Sequence, residues 1–293
     1  MSKSDSLSGQ QPVFKIKLRT GILALDKPVV MGILNLTADS FYDGGRYISE
    51  KAYLNQAEKM LMEGAAVIDI GAVSTRPGAK EVTEEEEWRN LKPALISLIR
   101  QFPQAVFSAD TFRAKIAGMA VNEGVQMVND ISGGTFDSRM FETIGRLRVP
   151  YIMMHIKGTP QTMQINPVYD NVIAEVKDYF KSQLKKLAGF GITDNIILDP
   201  GFGFGKTVEH NYQLLKGLAS FGELGFPVLA GISRKSMINK ILDTTPNEAL
   251  NGTTFLNTIA LLNGASILRV HDVKEAVQAI RLYEYYMKTE YPS

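Results

Sequence analysis

Nearly every short apolar run in this chain ends on a side chain that can hydrogen-bond or carry charge: Asn35, Asp69, Asp110, Asn129 with Asp130, His155, Asp199, Ser233, and Arg269 with His271. One such residue serves as readily to cap a turn as to hold a ligand. A whole series, each closing a β-rich run, describes a polar, ligand-binding rim. Asp110, Asn129 and Asp199 offer two carboxylates and an amide. That set suits the edge of a flat heterocycle with adjacent N–H donors, such as a 2-amino-4-oxopyrimidine, because a carboxylate accepts two parallel hydrogen bonds. Arg76, Lys235, Arg269 and His271 supply positive charge for the opposite side, where an anion such as a diphosphate would lie.

Rival chemistries fit less well. GFGFGKT (201–207) resembles a phosphate loop, but the position five residues before the Gly-Lys pair is Pro200, so the Walker pattern fails. Its glycines then serve a tight strand-to-helix turn, with Phe202 and Phe204 as candidate core residues. The three histidines, His155, His210 and His271, include no two at helical ligand spacing, and there is no cysteine. Zinc sites, disulfides and thiol nucleophiles are thereby set aside. Magnesium held mainly by a substrate diphosphate, with one protein oxygen, needs no such cluster.

A net charge of +1 without a basic run argues against nucleic acid as a partner. The first dozen residues lack the apolar centre of a signal peptide, and no window approaches the roughly 18 apolar residues of a membrane span. A cytoplasmic protein is expected, with a flexible tail over 1–12 and one domain over 13–293.

The elements that must position the rim are β-rich runs at 29–35, 66–71, 105–110, 126–130, 151–155, 196–200, 228–233 and 266–271. Helical periodicity fills most of the gaps, the alternation that predicts a parallel sheet. Thr83 with Glu86 has capping-box spacing, Asp272 with Glu275 is a carboxylate analogue, and Thr245, Pro246 and Glu248 suggest a third helix start. Gly64, Gly124 and Gly264 each precede a strand and suit left-handed helix ends. Eight such units in one domain favour a closed (β/α)8 TIM barrel, with an open doubly wound sheet as the alternative.

At this point the residues match a family. MGILNLTADSFYDGG (31–45) and GAAVIDIGAVSTRPGA (64–79) resemble the two long signatures of dihydropteroate synthases. SADTFR (108–113), VNDISGG (128–134), LDPGFGFGK (198–206), GISRKS (231–236) and RVHD (269–272) follow in the family order. The resemblance implies a transferase of folate biosynthesis, the target of sulfonamides, that uses Mg2+ and forms a homodimer. It implies that Asn35 contacts magnesium and diphosphate, with Thr75, Arg76, Arg269 and His271 on the same side. Asp110, Asn129, Asp199, Lys235 and Met154 become the pterin site, and Ser236, Phe41, Pro77 and Phe204 the p-aminobenzoate site. Loops near 36–47 and 72–81 resemble those that close over the reactants. Ala38, Ala72, Val73 and the Ser132-Gly133-Gly134 turn depart from the commonest pattern beside the site, where they bear on loop rigidity and inhibitor response. The corrinoid-linked methyltransferases share the acid-amide-acid edge but have no use for STRPG, SRKS or the Arg269/His271 pair. A non-catalytic pterin-binding paralogue is a second alternative.

Other polar or aromatic residues read as structural. Asp130 caps the next turn, His155 is a satisfied strand-end histidine, and His210 lies on the surface. Asp69 is either structural or a direct contact. Trp88 anchors its helix, and YEYYMK (283–288) packs a helix or meets another subunit.

Overall fold

Most of the apolar runs form strands of four to seven residues that are buried on both faces, the signature of parallel strands covered by helices. The computed structural model describes residues 13–36, 42–43, 47–74 and 82–290. The expected tail at 1–12 and most of the two expected closing loops lie outside them.

An N-terminal antiparallel hairpin, β1 (Phe14–Leu18) and β2 (Gly21–Leu25), precedes β3 (Val29–Asn35). A two-residue pair, β4 (Tyr42–Asp43) and β5 (Tyr47–Ile48), then leads to α1 (Glu50–Glu63). The alternation continues with β6 (Val67–Gly71), α2 (Glu84–Gln101), β7 (Phe107–Asp110), α3 (Ala114–Glu123), β8 (Met127–Asp130), α4 (Met140–Leu147), β9 (Tyr151–Met154) and α5 (Val172–Gly189). It ends with β10 (Ile196–Asp199), α6 (Val208–Lys216), a 3-10 turn, β11 (Leu229–Ala230), α7 (Ser236–Leu242), α8 (Leu250–Leu262), β12 (Ile267–Val270) and α9 (Val273–Lys288). No described helix is long and apolar enough to cross a membrane.

Eight strands pair in parallel in the order β10-β9-β8-β7-β6-β3-β12-β11. A parallel bridge between Leu198 and Val228 joins the two ends, so the sheet closes into the expected barrel. Two apolar layers hold it. Outward residues such as Val30, Ile68, Val128 and Leu268 pack against the helices. Inside, Met31, Val67, Met127, Ile152, Ile197, Leu229 and Ile267 meet Ile16 and Leu25 of the hairpin, which plugs the barrel floor.

Local signals mostly hold. Thr83 and Glu86 form a reciprocal capping box, and Gly64 and Gly124 end their helices in the left-handed region. Gly264, at φ +89, follows the end of α8 in the same way. Two helix starts differ from expectation. Asp272 makes no side-chain cap because Arg234 takes its carboxylate, with Nε and Nη2 at 3.0 and 2.5 Å. Thr245 does bond Glu248 at 2.8 Å, but over a turn that precedes the first residue of α8.

Candidate active site

Side chains alternate faces along a strand, so the inward apolar floor fixes which later residues point into the barrel. Val67 is followed on its face by Asp69, Met127 by Asn129, Ile152 by Met154, Ile197 by Asp199, and Ile267 by Arg269 and His271. Register places Asn35 beside Gly71, Gly71 beside Asp110, and Asp110 beside Asn129. The sequence therefore builds an apolar floor and a polar mouth from the same face of the same strands.

Asp130 and His155 stand one residue out of step and fall on the outer face. Asp130 accepts from the Ser132 amide and hydroxyl, the Gly134 amide and the Tyr151 hydroxyl, holding the turn after β8. His155 is buried beside Lys206, which keeps its imidazole neutral: burial, with Lys206 and Lys157, lowers its pKa to about 2. His210 does more than sit on the surface, since its ring closes a capping box with Thr207 and stacks edge-on against Tyr169.

Asp69 is the hub of the mouth. Fully buried, its Oδ2 accepts from Arg269 Nε at 2.7 Å and from Asn129 Nδ2 at 2.8 Å. Arg269 Nη2 also donates to Asp110 Oδ2 at 2.8 Å. Burial pushes the Asp110 carboxyl up to about 7, with Arg269 opposing and Asp69 adding to the rise. Burial works against the Arg269 charge, yet Asp69 and Asp110 together hold the guanidinium above its ordinary value.

Across the mouth, Lys235 Nζ donates to the Phe202 carbonyl and lies 4.7 Å from the centre of the Phe204 ring. Burial brings this ammonium down to about 8, with Asp199 opposing. The Asp199 carboxyl is raised by burial, against the pull of Lys235 and of the Gly201 amide, which donates to it at 2.8 Å. Gly201 is required here: at φ +72, a Cβ would stand 1.9 Å from the His155 carbonyl oxygen. Ser233 and His271 are joined at 3.0 Å through Oγ and Nδ1.

Cations and acids are thus interleaved, not segregated to two sides. Arg269 is paired with Asp69 and Asp110, and Lys235 lies in the field of Asp199. An apolar wall completes the mouth: Ile131, Met154, Ile156 and Met163 cluster with Phe112, Phe136 and Phe204, whereas Phe202 is core. Ser236 is exposed at the start of α7, and Asn35 ends β3. Phe41, Thr75, Arg76 and Pro77 lie outside the described residues. Sequence reasoning had left open the role of Asp69, which the structure makes the common partner of Asn129 and Arg269.

Residues 31–271 match the family of pterin-binding enzymes. The dihydropteroate synthase of Haemophilus influenzae is 42% identical over 92% of this chain and 98% of its own length, and that of Escherichia coli 43% identical over 89% and 93%. The chain belongs to the dihydropteroate synthase family. Solved structures of dihydropteroate synthases agree in fold. One from Yersinia pestis, in complex with a sulfonamide drug, superposes with a TM-score of 0.89 at 38% identity, covering 94% of this chain and 100% of its own. Another from Xanthomonas albilineans, in complex with 7,8-dihydropteroate, gives 0.85 at 34% identity over 94% and 100%.

Proposed function

We propose that this dihydropteroate synthase family member joins the methylene carbon of 6-hydroxymethyl-7,8-dihydropterin diphosphate to the amine of p-aminobenzoate, giving 7,8-dihydropteroate and diphosphate. The observation that carries the proposal is the convergence of Asp110, Asn129, Asp199, Lys235, Arg269 and His271, from the ends of five different strands, in one barrel mouth. The Xanthomonas complexes with 4-aminobenzoic acid and with 7,8-dihydropteroate support the choice of reactants.

Asp110, Asn129 and Asp199 bind the donor-rich pterin edge, Lys235 donates to the ring from the other side, and Met154 packs on its face. Asn35, Thr75, Arg76, Arg269 and His271 hold the diphosphate. Ser236 takes the p-aminobenzoate carboxylate, with Phe41, Pro77 and Phe204 around its ring. As the C–O bond breaks, its electron pair leaves with the diphosphate, and each well-aimed donor on that developing charge contributes about 3–4 kcal/mol. The electron-rich pterin shares the positive charge left on carbon, which Asp110 and its neighbours stabilise. The amine lone pair then forms the C–N bond and the arylammonium releases a proton. An arylamine is already a neutral nucleophile, so the protein's task is alignment, worth roughly 7–11 kcal/mol in the best cases.

Magnesium suits this donor set. Asn35 offers a hard, neutral amide oxygen at the mouth, and among the described residues no group of three acidic, histidine or cysteine side chains competes for a metal. When bound, magnesium neutralises charge on the departing diphosphate.

A cytoplasmic homodimer is part of the proposal. The chain's lack of cysteine suits a reducing compartment. Exposed Leu282, Tyr285 and Tyr286 on α9, with Phe255 and Leu262 on the adjoining α8, offer an apolar face to a second copy. Light scattering should report twice the 32.4 kDa chain mass, and Tyr286→Glu should reduce it. The reaction is tested by mixing purified protein with magnesium and both substrates. Equal amounts of dihydropteroate and diphosphate are expected, and no C–N product would overturn the proposal.

A further inference from the structure

Lys206 is only 3% exposed, unusual for a residue whose charge prefers water. Its Nζ lies 2.9 Å from the Gly201 carbonyl, 2.9 Å from the Phe204 carbonyl, 3.0 Å from His155 Nδ1 and 3.4 Å from the His155 carbonyl. An amine carries up to three N–H donors. Here they reach both ends of the turn at 201–204 and the residue that follows β9.

That turn also makes the seat of Lys235. The Phe202 carbonyl accepts from Lys235 Nζ, and the Phe204 ring lies beneath the same nitrogen. A second tether acts from the other side, the Gly203 amide donating to Asn211 Oδ1 at 2.6 Å. We propose that Lys206 is a positioning residue, fixing the turn at 200–206 so that the Phe202 carbonyl and Phe204 ring hold the Lys235 ammonium over the mouth. Its relevance to turnover rests on the pterin-site role assigned to Lys235 above.

The seat can be read without turnover. In full-length protein labelled at lysine 13Cε, with the Lys235 resonance identified by Lys235→Arg, the wild-type midpoint is expected near 8. Asp199, Arg269 and Asp110 act on that ammonium and stay in place in the variants below, whereas Lys206 and Lys235 repel each other, so the uncharged change Asn211→Ala separates loosening of the turn from loss of that repulsion. Lys206→Met keeps the apolar stem and removes the donors, so the loosened turn should admit water and raise the midpoint by at least about half a unit. The KM for pterin diphosphate should rise about tenfold, with kcat less affected.

Asn211→Ala, which frees the turn from its other tether, should move the midpoint in the same direction and carries the test should Lys206→Met not fold. Asn263→Ala removes a distant bond to the Leu215 carbonyl and should lower stability without moving it. An unshifted Lys235 midpoint in folded Lys206→Met, or in folded Asn211→Ala, overturns the proposal. Absent turnover in wild type would instead strike at the assigned reaction, and the titration would still judge the role of Lys206.

Discussion

Arg269 and Asp69, 200 positions apart, meet at 2.7 Å across the mouth of the barrel. They stand on β12 and β6, with β3 between them, so the contact forms only when the sheet has its observed order. Because Asp69 also holds Asn129, one buried carboxylate sets the positions of a cation and an amide at the mouth.

Removing that carboxylate should be expensive. Asp69→Ala leaves Arg269 buried with Asp110 alone, and breaking a buried ion pair costs about 3–5 kcal/mol. Chemical denaturation should register a loss of that order. A loss typical of exposed pairs, below about 1 kcal/mol, would show that Asp69 is not the hub.

The two perturbed groups define a narrow pH window. Asp110 offers both oxygens and a negative charge to N–H donors only when ionised, and its raised value confines that form to pH above about 7. Lys235 carries its positive charge only when protonated, which its lowered value confines to pH below about 8. The profile of kcat/KM for pterin diphosphate should therefore be bell-shaped, rising through the first value and falling through the second. Asp110→Asn should lower the rate throughout and erase the acidic limb; persistence of that limb would assign it elsewhere.

Gly201→Ala tests the turn after β10. The added methyl would meet the His155 backbone carbonyl at 1.9 Å, in a conformation at φ +72 that disfavours a side chain. Left-handed strain and overpacking together should cost at least about 3 kcal/mol, read as a lower midpoint of denaturation. An unchanged midpoint would mean that the turn relaxes freely.

Much of this architecture was readable in the residues because each strand is a short apolar run with a polar end. Period two then sorts the ends: Asp69, Asp110, Asn129, Asp199 and Arg269 share the inward face, while Asp130 and His155, one step off, serve the outer layer. The N-terminal hairpin escaped notice because its first strand is interrupted by Lys15 and Lys17 and the two strands join at Arg19-Thr20 without a strong turn signature. Lys206 escaped because a lysine reads as solvated; its place inside an aromatic and glycine segment was the available signal. Asp272 misled because tertiary pairing with Arg234 outcompeted the local cap.

That one mouth grips two ends of a single molecule is tested by calorimetric titration with pterin diphosphate and with the same pterin lacking its diphosphate. Asp199→Ala should weaken both ligands by at least about a hundredfold, since a ring left with unmet donors is rejected strongly. His271→Ala should weaken only the diphosphate-bearing ligand. Near-normal binding to Asp199→Ala, or equal losses for both ligands in His271→Ala, would contradict the claim.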